Sequence, residues 1–184
     1  LHTDTSNIHL NNLYINTTAS EIFAHGTLPW KMLDKKHKGN FAANLTAYIG
    51  KQDLLLMAGQ MPQTLRRAMP FEPLRIKMDV NGSMNDIHLG NFNAQMPGVI
   101  TLNASGVFKD ITNSAKRNIA CTMNGRLINA NFISAITGNK PGQSYTIPNN
   151  ITLGGKFKMN GYKCNADALL KQDEGALALN GVCK

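Results

Sequence analysis

Five histidines (His2, His9, His25, His37, His88) and three cysteines (Cys121, Cys164, Cys183) are the side chains of this 184-residue chain best suited to metal binding or nucleophilic chemistry. A structural zinc site needs ligands at short fixed spacings such as Cys-x-x-Cys or His-x-x-x-His. Neither spacing occurs. The stretch Gly138-Asn139-Lys140-Pro141-Gly142-Gln143-Ser144 is glycine-rich. It lacks the Gly-Lys-Ser/Thr ending that sets a lysine on the phosphates and a hydroxyl on the metal. Ser83 follows Gly82, but no second glycine stands two residues on to make a nucleophile elbow. Carboxylates are few, and none are paired in sequence at suggestive positions. No catalytic residue, metal or cofactor is therefore expected, and the function is expected to lie in a surface.

Composition narrows what that surface is made of. Hydrophobic residues make up 42% of the chain and charged residues only 16%, so neutral Asn, Thr, Gly and Ser must supply the wet face. Strong helix formers are scarce, which favours an all-β chain. The net charge is +8 and the pI about 9.5, which suits either simple solubility or attraction to an anionic surface. Apart from Lys35-Lys36-His37-Lys38 the basic residues are dispersed. A nucleic-acid track needs them clustered and interleaved with stacking aromatics, so no nucleic-acid partner is expected. Three Asn-x-Thr triplets, at Asn16, Asn44 and Asn150, are what an Asn- and Thr-rich chain yields by chance. No apolar run approaches the ~20 residues of a spanning helix. The opening at Leu1, without a leader pattern, reads as the start of a segment excised from a longer protein.

The elements that would build the surface are legible in the alternation. In Pro73-Leu74-Arg75-Ile76-Lys77-Met78-Asp79-Val80-Asn81, the apolar Leu74, Ile76, Met78 and Val80 share one parity and the polar residues the other. This period of two marks a strand with one apolar face. Ile8–Thr17 and Ser20–Pro29 suit a hairpin, with a polar step at Asn11-Asn12. Phe41–Ile49, Ile87–Met96 (broken at Gly90-Asn91), Ile100–Phe108, Ile119–Leu127 and Ile151–Met159 read as further strands. Tyr162–Leu170 and Ala176–Val182 close a last hairpin around Gln172-Asp173-Glu174-Gly175. Centring it between Asp173 and Glu174 sets Leu170 against Leu177, Ala168 against Leu179 and Cys164 against Cys183. The two cysteines are then either a cross-strand disulfide or two small buried residues. Short helices are expected at Asp53–Gly59, capped by Asp53, and at Gln63–Ala68 after Pro62. A further short apolar segment lies at Asn131–Gly138, and loops at Trp30–Gly39 and Gly138–Pro148.

The order recurs. Ile8-His9-Leu10 returns as Ile87-His88-Leu89, 79 positions on, and Gly26 returns as Gly106. The short helical segments keep nearly the same offset. The chain thus reads as one segment, 1–184, of repeat-like units at about 1–72, 73–150 and a partial 151–184. His9 and His88 occupy equivalent positions, which suggests a shared structural slot.

Three stretches carry a family resemblance: Ser20-Glu21-Ile22-Phe23-Ala24-His25-Gly26-Thr27-Leu28, Asp53-Leu54-Leu55-Leu56-Met57-Ala58-Gly59-Gln60-Met61-Pro62, and the run from Tyr145-Thr146-Ile147-Pro148 through Gly155-Lys156-Phe157 to Asp173-Glu174-Gly175-Ala176-Leu177. Their pattern and order resemble TamB and other AsmA-like proteins over nearly the whole chain. The resemblance implies a long antiparallel sheet curled into a β-taco, an open groove or half-barrel lined with apolar side chains, with short capping helices. It implies the periplasmic part of an inner-membrane-anchored protein of a Gram-negative bacterium. Its partners would be phospholipid or another acyl lipid, an outer-membrane barrel protein and the rest of its own longer chain. Its work would be phospholipid transport between inner and outer membrane in outer-membrane biogenesis, or else assistance to barrel-protein assembly or secretion through strand-edge pairing.

The residues themselves leave two uses for the apolar parity. Leu74, Ile76, Met78, Val80, Ile119, Met123, Leu153, Phe157 and Met159 either line a trough for acyl chains or form an ordinary core.

Overall fold

The alternating run at Leu74–Ser83 forms one strand of a continuous antiparallel sheet in the computed structural model, which describes residues 2–30, 39–57, 63–130 and 148–183. The strands are β1 (His2–Thr3), β2 (Asn7–Asn16), β3 (Ser20–Pro29), β4 (Phe41–Ile49), β5 (Leu74–Ser83), β6 (Asp86–Met96), β7 (Ile100–Lys109), β8 (Asn118–Leu127), β9 (Ile151–Asn160), β10 (Lys163–Gln172) and β11 (Gly175–Cys183). Helices α1 (Lys51–Met57) and α2 (Gln63–Ala68) lie between β4 and β5. The eleven strands are ordered in the sheet as they are in sequence, a simple meander. The last hairpin has the register its residue pairing predicts, with Leu170 across from Leu177 and Ala168 from Leu179.

The expected curl is absent. The sheet is antiparallel throughout but open; it neither closes into a barrel nor curls strongly into a β-taco, groove or half-barrel. The main contacts between elements join each strand to its sequence neighbours, as in a ribbon that does not return on itself. Curling a sheet takes bends repeated strand after strand, supplied by bulges and glycine kinks. Here the register slips are confined to the ladders of β2 and β6. The other long ladders run without one.

Those two slips are themselves a pair. In β2 the register shifts between Leu10 and Leu13, at the polar Asn11-Asn12 step, and Leu10 faces Gly26. In β6 it shifts between Leu89 and Phe92, at Gly90-Asn91, and Leu89 faces Gly106. A bulge adds one residue to its strand and restores the apolar parity on the far side. The glycine beside each bulge is sterically required. A Cβ on Gly26 would sit 2.6 Å from the Ala42 carbonyl oxygen, and one on Gly106 would sit 2.7 Å from Cys121 Cβ.

The buried side chains of the strands collect at one rim of the sheet. Ser20, Ala47, Ile49, Met96 and Val99 lie where β3 begins, β4 and β6 end and β7 is about to begin; Met69 and Ala130 are buried as well. Helix α1 starts earlier than the Asp53 cap predicts, so Asp53 falls in its first turn. Its carboxylate instead accepts hydrogen bonds from Ser20 Oγ at 2.5 Å and from the Thr17 hydroxyl. The Gly50 amide donates to Ser20 Oγ at 3.0 Å, and Lys51 Nζ donates to the Met69 carbonyl at 2.7 Å. Helix α2 has the predicted bounds. The expected end of α1 at Gly59, the turn at Pro62, the basic run at 35–38 and the apolar segment at 131–138 lie outside the described residues.

Candidate binding face

Directly opposed residues in an antiparallel sheet point to the same face, so the register fixes where every candidate side chain stands. Ile76 leads across the sheet through Ala94, Leu102 and Gly125 to Leu153. Met78 leads through Phe92 and Ala104 to Met123. Val80 leads through Leu89, Gly106 and Cys121 to Phe157. Ile119 faces Met159 directly. Leu74 stands on the same face of β5 as Ile76. All the residues singled out by parity thus share one face, in rows that cross the strands. Phe92, Leu102, Phe108 and Leu170 belong to that face too.

The face is not a core. Leu74, Ile76, Met78, Val80, Ile119, Leu153, Phe157 and Met159 are each partly exposed, and Met123 is 37% exposed. Toward the last strand Leu177 and Leu179 are more than half exposed. The total accessible area is 12403 Å², against about 8,700 Å² for a compact monomer of this mass. Among the described residues no second layer of strands or helices packs across the sheet. On this face one open depression of about 400 Å³ lies at the β9–β11 end, between Pro148, Ile151, Leu170 and Leu177. Open depressions of about 390 and 580 Å³ run along the other side, among residues such as Ser105, Thr122, Lys156, Asn124 and Asp167.

The opposite face is mainly polar, and two carboxylates at its edge, Asp4 and Asp86, are held by nearby histidines. His9 Nε2 lies 2.9 Å from Asp4 and His88 Nε2 lies 3.0 Å from Asp86, so the two equivalent histidines each meet a carboxylate. The hydrogen bond to His9, with the Ser6 and Asn7 amides, holds the Asp4 carboxyl well below the usual carboxylate range. Lys109 approaches Asp86 at 3.5 Å, and Asn93 donates to Asn103 at 2.7 Å.

This polar face carries an aromatic group that the strand reading passed over. Tyr14 and Phe23 rings stack at 4.5 Å between centroids, and the Arg75 guanidinium lies 5.5 Å from the Tyr48 ring centre. An open depression of about 570 Å³ runs between Phe23, Thr46, Tyr48 and the Thr17–Ser20 turn. The available signal was an aromatic residue at the polar parity in each of three consecutive strands.

Cys164 and Cys183 are direct partners across β10 and β11, and both are free thiols. Donation of the Cys183 S–H toward Cys164 is the main cause that raises the Cys183 thiol above its ordinary value. Among the described residues no group of His, Cys, Asp or Glu could hold a metal ion, and no helix is long and apolar enough to cross a membrane.

In the described residues, fold and face together define an open, single-layered β-meander with one apolar and one polar side. No family model matches the chain, and no curated protein or solved structure matches it.

Proposed function

We propose that this chain is a non-enzymatic lipid-handling segment whose apolar sheet face carries the acyl chains of phospholipid. The carrying observation is that every parity-selected apolar residue lies on one face that no described element covers. An exposed apolar area this extensive on a single chain calls for an apolar partner. Each buried methylene contributes about 0.8 kcal/mol, so a ~16-carbon chain half covered by the sheet gains roughly 6 kcal/mol. Methionines such as Met78, Met123 and Met159 adapt to chains of varied shape. The resemblance to TamB and AsmA-like proteins supplies the setting: the periplasmic part of an inner-membrane-anchored protein, passing phospholipid toward the outer membrane alongside a barrel partner. The chains would lie along a broad open face, not inside a curled groove.

Native mass spectrometry of the freshly purified protein, with organic extraction of what is bound, tests this reading. Phospholipid-sized adducts that vanish in Met78→Asp and Phe157→Asp but persist in Lys77→Asp are expected. A clean unliganded mass from cells and after incubation with phospholipid vesicles would refute it.

A second reading has its own observation. Among the described residues β11 pairs with β10 alone, and it is exposed along its whole length. Such an edge can template an added strand, as a scaffold for outer-membrane barrel precursors would. Binding of an unfolded strand that ignores Met78→Asp but is lost with a proline in β11 would favour it.

A further inference from the structure

The terminal hairpin is held at one end by its turn and at the other by a pair of sulfur side chains. β10 and β11 run antiparallel from Gln172 opposite Gly175 to Cys164 opposite Cys183. Every residue of β11 is exposed, and among the described residues its only strand neighbour is β10. An edge strand of this kind opens from its free end, because the turn keeps the other end closed. The cysteines occupy that free end.

We propose that Cys164 and Cys183 form a reversible disulfide that clasps β11 to β10. Directly opposed Cα atoms in an antiparallel ladder lie ~4.5–5.5 Å apart, inside the ~4.4–6.8 Å that a disulfide spans. The two cysteines are already direct partners in the ladder, so closure needs no change of register. The third cysteine is excluded by the same register. Cys121 stands on β8, across from Phe157, so β9 intervenes and the row differs from that of Cys164. Two strand spacings of ~4.8 Å and a two-residue step along the strand put it roughly 11–12 Å from Cys164 at the Cα, beyond disulfide reach.

The step is a thiol–disulfide exchange with a small disulfide such as oxidised glutathione. One thiolate attacks a glutathione sulfur, forms a mixed disulfide and releases one glutathione thiolate. The second cysteine, deprotonated, attacks the protein sulfur of that mixed disulfide and releases the second glutathione. Two protein thiols become one disulfide, and one glutathione disulfide becomes two thiols. Thiolate is the attacking species and donation of the Cys183 S–H toward Cys164 favours neutral Cys183, so closure should quicken as pH rises. The clasp keeps Leu177 and Leu179 in line with Leu170 and Ala168, and so preserves the last strand of the apolar face.

The test equilibrates the folded protein with oxidised and reduced glutathione, maps linkages by non-reducing peptide mass spectrometry and follows amide exchange in β11. The expected result is a single internal Cys164–Cys183 link, retained in Cys121→Ala and lost in Cys164→Ser and Cys183→Ser. β11 exchange should slow by roughly tenfold or more on closure. Glutathione adducts that never resolve to the internal link, links involving Cys121, or a link that leaves β11 exchange unchanged would each overturn the proposal.

Discussion

The buried hydroxyl of Ser20 donates to the Asp53 carboxylate at 2.5 Å, tying the first residue of β3 to the first turn of α1. This contact joins the helices to the rim where the buried side chains of the strands collect. Ser20→Ala removes a buried donor and should lower unfolding stability by about 1–2 kcal/mol. Chemical denaturation compared with a Ser6→Ala control, at an exposed site, checks this.

The same contact makes stability depend on pH. Hydrogen bonds from Ser20 and then Thr17 hold the Asp53 carboxyl below its ordinary value of 3.8. A carboxyl depressed on folding contributes stability above its unfolded pKa and loses it as pH falls through the folded one. The melting temperature should therefore drop as pH is taken below about 4, and part of that drop should vanish in Asp53→Asn. Melting curves of both proteins between pH 2 and 7 decide it. An identical pH dependence in the two would remove Asp53 from the account.

Gly106 faces Leu89 across one ladder and Cys121 across the other, beside the β6 bulge. Gly106→Val forces its side chain into Cys121 Cβ and the Ala120 carbonyl oxygen. Overpacking of this kind costs about 1–3 kcal/mol. Gly175→Ala meets nothing within 4 Å and serves as the neutral control. Equal denaturation midpoints for the two variants would show that the close approach at Gly106 is not what the position requires.

A single-layered sheet also implies a gradient of protection. Among the described residues β6 and β7 each have strands on both sides, whereas β11 has one neighbour and full exposure. In the reduced protein, hydrogen exchange should be fastest in β11 and slowest in the central strands. Uniform protection across all strands would point to a covering layer or an assembly of chains.

Charge placed on the apolar face should separate binding from folding. Met78 and Phe157 are partly exposed, so an aspartate at either keeps some water contact and the sheet should persist by circular dichroism. Lipid adducts should fall at least tenfold. Loss of the β signal together with the adducts would assign these side chains to a structural core instead.

How much of this was readable beforehand follows from what each feature depends on. Side-chain parity is a local property of an extended chain. Leu74–Val80 and Ile151–Met159 therefore declared their strands, and the candidate face needed only correct pairing to assemble. Hairpin register depends on a short turn, so the opposition of Cys164 and Cys183 could be counted from Asp173-Glu174. The breaks at Asn11-Asn12 and Gly90-Asn91 were visible as lapses in alternation, and they became the two bulges. The tertiary structure alone decided whether the sheet curls, because curvature comes from twist and bend summed over many ladders and leaves no mark in the period of any one strand. It alone decided that the apolar face stays uncovered by the described elements, since an alternating pattern looks the same whether its apolar side meets a second layer or none. It also decided the Ser20–Asp53 contact, which joins residues 33 positions apart through the packing of a rim.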